Sequence, residues 1–358
     1  MDFGLDETQR EIAELTAAVL AKETDPGQSW RALADAGLLA LALPAELGGD
    51  GLGVAEVAMV LTEVGRAAGS VPALPALAAL GLGVLPLNRL GSPEQRAALL
   101  PGVAAGETLL TAAVHEPSNP FTTRPGTTAV TDGGVWRLSG TKIAVPHADT
   151  AARILVPASL PTGTGIFLVD PAADGVACTA THTSGGGTEH SVRLDGVVAT
   201  EAELLTDSRP GEAIAVLHRY ALAAAVALGD GALAGALELT TRHVASREQF
   251  GRPLAAFQAV AQQIADVYIT SRTLHLAALS AVWRLSAGLD PGQDLEVAAY
   301  WLAEEAPKAL ASCHHLHGGL GVDVTYPLHR YYGLVKDLGR FTGGAADRLA
   351  ALGERVAG

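Results

Sequence analysis

Three segments of the chain carry residues whose types and spacing suit chemistry. The run Ser246-Arg247-Glu248-Gln249-Phe250-Gly251-Arg252-Pro253-Leu254, continuing to Phe257-Gln258-Ala259-Val260, sets arginine and amide side chains beside a Gly-Arg-Pro break. Charge-assisted donors where one helix ends and another begins suit a pyrophosphate. Taken alone, the segment reads more readily as a helix–turn–helix corner with a surface arginine. The run His317-Gly318-Gly319-Leu320-Gly321 removes side chains where a backbone must approach a ligand closely or take positive φ. Glycines after a helix are also an ordinary C-terminal stop. His218, in Leu217-His218-Arg219, carries an imidazole that titrates near neutrality and could take a proton. The plainer alternative is a helix histidine satisfied by a neighbour, since the sequence supplies no carboxylate to orient its ring.

Two further clusters weigh less. Cys313-His314-His315-Leu316-His317 mixes zinc-ligating types, but on a helix only His314 and His317 are expected to share a face. No second Cys/His cluster completes four ligands, so no metal is expected. Ser184-Gly185-Gly186-Gly187-Thr188 is glycine-rich, yet no Lys-Ser/Thr follows and it sits between strand-like runs, so a hairpin is expected rather than a phosphate loop. There is no Gly-x-Ser-x-Gly elbow of a hydrolase.

The elements that must position these residues follow from composition and periodicity. The 358 residues exceed what one core usually needs, so two or three packed units are expected. With 49% apolar and 4% aromatic residues, the core is built mainly from Ala, Leu and Val, which favours closely packed helices. Twenty-four basic against 38 acidic residues give a net charge of −14, a field that repels nucleic acid and anionic membrane. Two cysteines, Cys178 and Cys313, suggest no disulfide framework and fit a reduced cytoplasm. The acidic, helical start lacks the pattern of an export signal. Apolar windows such as 71–90 are interrupted by Gly and Pro, short of the ~20 apolar residues a bilayer requires, so no membrane is expected.

Periodicity predicts helices at 5–23, with Asp6 as N-cap, and around 28–37, 54–68, 71–82 and 93–103. From about 111 the texture turns to Thr, Val and Gly in short alternating runs, read as antiparallel strands and hairpins. Helical periodicity returns from about 211. The order is α, β, α, with units expected at 1–110, 111–208 and 209–358.

With the opening Asp6-Glu7-Thr8-Gln9-Arg10 helix, its Leu43-Pro44 … Gly48-Gly49 loop and the continuation Tyr326-Pro327-Leu328-His329-Arg330, the first two chemical segments closely resemble the acyl-CoA dehydrogenase family over essentially the whole chain. The resemblance implies an α+β fold: an N-terminal helical domain, a central antiparallel β domain and a C-terminal four-helix bundle. It implies FAD as cofactor and an acyl-CoA or other acyl thioester as substrate. It also implies Arg247, Gln249, Phe257, Gln258, His315, Gly318 and Gly319 as contacts to the FAD of a neighbouring subunit. His315 stands where the family usually has Gln. An electron-transfer flavoprotein is among the partners the resemblance allows, though the sequence does not name the electron acceptor.

The sequence departs from the family where the reaction needs a base. In most members a Glu near the C-terminus is followed by Gly; the matching position is Thr342, before Gly343. In a smaller set the Glu lies on the first long C-terminal helix, where His218 stands. Thr is no general base at neutral pH, so the deprotonation that starts the reaction lacks its usual carboxylate. The flavin-wrapping stretch is reduced to His115-Glu116-Pro117-Ser118-Asn119-Pro120, and Ala144-Val145-Pro146 replaces the usual Trp-Ile-Thr. The tail is similar to the short, base-less subunits of actinobacterial heteromeric acyl-CoA dehydrogenases, including those acting on steroid side-chain thioesters. The resemblance therefore implies an α2β2 heterotetramer in which a Glu-bearing paralogue supplies the base. The alternatives are a homo-oligomer, a stand-alone enzyme using His218 for altered chemistry on a thioester or natural product, and a purely structural subunit.

Overall fold

The structure, a computed structural model, describes residues 4–23, 25–205, 207 and 209–357. Helix α1 (Glu7–Lys22) starts at Asp6, whose carboxylate accepts from the Gln9 N–H while the Gln9 side chain reaches back to the Asp6 N–H. This is a complete capping box, as the acidic start predicts. Helices α2 (Ser29–Asp35) and α3 (Val54–Arg66) follow. The apolar stretch 71–90 forms one continuous helix, α4 (Leu74–Leu90), which passes through a π-helical segment, Leu77–Val84, buried at every residue. The expected end at residue 82 is overrun because packing, rather than glycine propensity, decides the boundary. Helix α5 (Pro93–Ala104) closes the first block behind a Ser92 cap.

The central block is a ten-stranded sheet of β1 (Leu110–Ala112), β2 (His115–Glu116), β3 (Asn119–Pro120), β4 (Thr128–Asp132), β5 (Val135–Pro146), β6 (Arg153–Leu160), β7 (Gly163–Val169), β8 (Val176–His182), β9 (Thr188–Ala199) and β10 (Leu204–Leu205). Its pairs are antiparallel except β1–β6 and β4–β6, which are parallel. The purely antiparallel expectation is corrected to a mixed sheet. Both strands lie on the flank of β6 that β7 leaves open: Leu110 pairs with Arg153 and Thr128 with Ser159. The chain leaves this flank for the β2–β3 hairpin and returns to it in the same direction, so the two segments act as one interrupted strand.

The third block opens with α6 (Glu212–Ser246), followed by the short hairpin β11 (Glu248–Gln249) and β12 (Arg252–Pro253) and by α7 (Gln258–Ser286). Helix α8 (292–317) runs through a π-helical turn, Trp301–Glu305. Helices α9 (Leu328–Phe341) and α10 (Ala345–Ala357) complete it. By length and composition α6 could cross a membrane, but 83% of its most apolar window is buried in the protein. Its apolarity is that of a bundle's central helix. The approach of α3 to α6 is close enough that a Cβ at Gly231 would lie 1.8 Å from the Thr62 carbonyl oxygen, so only glycine fits there. The expected boundary residue 208 lies outside the described residues.

Candidate functional site

The fold brings both base positions together with the segment that the resemblance assigns to wrapping flavin. Strands β2 and β3 form a tight hairpin, His115 opposite Pro120 and Glu116 opposite Asn119. Ser118 and Phe121 take positive φ, 57° and 51°, and Phe121 is buried. Its ring meets His115 at 4.9 Å, His218 of α6 at 5.2 Å and Phe341 of α9 at 5.8 Å, all edge to face. His115 also meets Phe341 at 5.0 Å. Thr342, fully buried, donates its hydroxyl to the Gly339 carbonyl. Four of the chain's own rings thus pack against one another where residues 115–121, 218 and 341 meet.

Two buried ion pairs fix this plug. Glu116 accepts from Lys142 Nζ at 2.8 Å and from the Gly126 and Thr127 N–H groups at 2.6 and 2.9 Å. Burial pushes this carboxyl up, but the Lys142 and Thr127 hydrogen bonds and the Lys142 charge outweigh it and hold its pKa at about 2. Arg348 of α10 donates to Glu296 of α8 at 3.0 Å and lies over the Phe121 ring at 5.3 Å. Ala144, in the segment that replaces Trp-Ile-Thr, sits in a β-bulge with φ 54°.

Among the described residues His218 Nε2 has no hydrogen-bond partner, and it is sealed from solvent. Burial, then the charges of His115, Arg348 and Lys142, lowers its pKa to about 3. His115 falls to about 3 as well, by burial and then the charges of Arg340 and Arg348. His218 lines a cavity of about 530 Å³ bordered by Phe121, Arg219, Glu296 and Arg348. A ring held neutral this strongly is a poor proton acceptor at neutral pH.

The other segments lie on the outer surface. Arg247, Gln249, Gln258, His315, Gly318 and Gly319 are exposed and Phe257 is half-buried. The β11–β12 hairpin turns at Phe250 and Gly251, both at positive φ (53° and 77°). Phe250 is 92% exposed. An aromatic residue held at positive φ in solvent is strained, and Phe250 gains only an edge contact to Phe257, with ring centroids 6.2 Å apart. Arg252 lies 4.0 Å over the Phe257 ring. Gly318 takes φ 59°, and a Cβ at either Gly318 or Gly319 would meet nothing within 4 Å. Internal packing therefore leaves the space beside both glycines open. Val322 and Val324 beside them are 78% and 79% exposed. Donors, open backbone and unpaired apolar side chains in these segments suit a ligand shared with another chain.

Sequence reasoning missed Phe121, Phe341 and Arg348. Nothing in their local pattern separates them from core and helix residues; the contacts that define them join elements far apart in the chain.

This fold and this pair of surfaces define a member of the acyl-CoA dehydrogenases. Residues 6–107 match the description "Acyl-CoA dehydrogenase, N-terminal domain" and residues 216–355 "Acyl-CoA dehydrogenase, C-terminal domain". The chain is 48% identical over 355 residues to acyl-CoA dehydrogenase FadE28 of Mycobacterium tuberculosis, covering 99% of each. The structure of the ChsE4-ChsE5 complex from Mycobacterium tuberculosis matches with a TM-score of 0.92 at 32% identity, over 100% of this chain and 99% of that one. A variant of the Tcur3481-Tcur3483 steroid ACAD matches with a TM-score of 0.89 at 37% identity, over 98% of each. The chain belongs to the acyl-CoA dehydrogenase family of oxidoreductases, whose general chemistry is FAD-dependent dehydrogenation of acyl thioesters.

Proposed function

We propose that this chain is the non-catalytic half of a heteromeric, FAD-dependent acyl-CoA dehydrogenase, paired with a Glu-bearing paralogue and acting on a steroid-type or other lipid thioester. One observation carries the reading: neither base position holds a carboxylate, and His115, Phe121, His218 and Phe341 pack together there, while the segments containing Arg247 and Gly318 stand exposed. The chain's own flavin-wrapping segment turns Phe121 inward onto His115, His218 and Phe341, so the larger part of the cofactor's site is assigned to the partner. The outer surface fits one. Arg247, Gln249, Phe257, Gln258, His315, Gly318 and Gly319 would hold FAD seated mainly in the partner, with guanidinium and amide donors on its polar groups. Bound FAD supplies the acceptor for the substrate's β-hydride, and an electron-transfer flavoprotein would take the electrons onward. The partner's carboxylate would remove the α-proton, a task for which Thr342 is unsuited and His218 too weakly basic. The two heteromeric relatives of known structure support this division of labour.

The test is co-expression with a Glu-bearing paralogue. The chain purified alone is expected to be colourless, and the complex to carry flavin and oxidise acyl-CoA. Arg247→Ala is expected to strip FAD from the complex. A yellow homo-oligomer that oxidises acyl-CoA unaided overturns the reading.

A second reading, a stand-alone enzyme using His218, draws on the cavity beside that ring. A folded His218→Ala chain that keeps full turnover removes it.

A further inference from the structure

The two segments assigned to the partner's flavin come from different helices. Arg247 follows the end of α6, and Gly318 follows the end of α8. Their separation must be fixed if one cofactor is to meet both, because misplacement of about an ångström weakens a positioned contact sharply. One side-chain contact joins the helix ends. His243, four residues before Arg247, stacks on His317, the residue before Gly318, with ring centroids 4.3 Å apart and planes 19° from parallel.

His317 is anchored on both nitrogens. Its Nδ1 lies 2.8 Å from the Cys313 carbonyl oxygen, which can only accept, so Nδ1 carries the proton. Its Nε2 then accepts from the Tyr326 hydroxyl at 3.1 Å. The ring, 95% buried, ties α6, α8 and the turn before α9 together with one tautomer. A Cβ at Gly321 would lie 2.8 Å from the His314 carbonyl oxygen and 3.2 Å from the His317 Cβ, so the loop folds tightly back onto the end of α8.

Resting on the reading above, we propose that the His243–His317 stack is a positioning element that holds Arg247 and the Gly318–Gly319 loop at the separation one flavin requires. The groups that face the pair are Arg247 and Arg242 from α6, Cys313 and His314 from α8, and Tyr326 from the turn; His329 of α9 acts on His314. Burial, then the charge of Arg247, lowers the pKa of His243. His317 is lowered by burial and by His243 and His314, against the Cys313 hydrogen bond. The neutral stack is therefore the neutral-pH form. Protonating His317 turns Nε2 into a donor, so the Tyr326 hydroxyl must turn and accept, and it sets a positive charge against the stacked His243 ring.

The experiment measures FAD affinity of the complex with the Glu-bearing paralogue. His243→Ala and His317→Ala are each expected to weaken FAD about tenfold with assembly retained, and the double variant no more than either alone, because both act through one contact. His243→Phe keeps a flat ring and is expected to restore most of the affinity. Wild-type FAD retention is expected to fall as pH drops below about 6.5. Tyr326→Phe removes the hydroxyl that donates to neutral Nε2 and is expected to raise the midpoint of that loss, a second arm should an alanine variant fail to assemble. Additive alanine effects, no rescue by Phe and an unmoved midpoint overturn the proposal. If Arg247→Ala loses FAD while the histidine variants keep it, the proposal alone fails. If the wild-type complex carries no FAD, the underlying reading fails with it.

Discussion

Phe121 and His218 meet edge to face with ring centroids 5.2 Å apart, and both rings wall one cavity of about 530 Å³. A ring from the β block stands against the helix that would carry an alternative base. Phe121→Ala removes most of a buried ring that touches His115, His218, Phe341 and Arg348. Such truncations cost about 3–5 kcal/mol. A clear fall in the melting temperature of the isolated chain is expected, with FAD content of the assembled complex unchanged, because the plug lies apart from the exposed segments. Loss of flavin without loss of stability would contradict the assignment.

The plug also sets an acid limit. His115 and His218 both have pKa values lowered to about 3, so the folded chain binds fewer protons than the unfolded one between that value and about 6.5. Their contribution is complete above pH 6.5 and declines as pH falls through this window, by about 1.4 kcal/mol per pH unit for each ring at the steepest. Urea melts across pH 4–7 are expected to show this slope. A His115→Phe/His218→Leu variant is expected to flatten it.

Phe250 separates stability from assembly. At φ 53° and 92% exposure its backbone is strained by about 1 kcal/mol, which glycine would not pay. Phe250→Gly is expected to leave the isolated chain as stable or slightly more so, while weakening FAD retention or partner affinity at least several-fold. Equal loss in both measurements would make Phe250 a folding residue.

Much of this was legible in the sequence, for physical reasons that differ by element. Asp6 announced α1 because a capping carboxylate followed by Gln9 is a local device. The α, β, α order followed from periodicity, and the missing carboxylates at 218 and 342 from the resemblance. The parallel pairing of β1 and β4 with β6 was not legible, since register along a shared flank is set by tertiary contacts. Nor was the packing of Phe121 and Arg348. Phe121 follows a proline in a glycine-poor loop, and only its backbone at φ 51°, invisible in sequence, turns the ring inward. His314 and His317 lie one turn apart on α8, as expected, but the stack of His317 on His243, a residue more than seventy positions away, was not legible.

The loop read as a hairpin, Ser184 to Thr188, joins β8 to β9 and is clamped. Asp337 of α9 accepts the Ser184 and Gly185 N–H groups at 2.8 and 2.7 Å, one on each carboxylate oxygen. Arg340, one turn on, pairs with the buried Glu189 at 2.6 Å. The clamp borders a cavity of about 420 Å³ between this loop, the 68–75 segment and α9. Replacing Asp337 by Asn leaves one oxygen and adds an amide that cannot accept, so one of the two N–H groups loses its partner at a cost of about 1–3 kcal/mol. Asp337→Asn is expected to speed hydrogen exchange at Ser184 and Gly185 by ten-fold or more while amides of the central sheet keep their protection. Acceleration spread evenly over the β block would show that the carboxylate supports the whole fold rather than closing this loop.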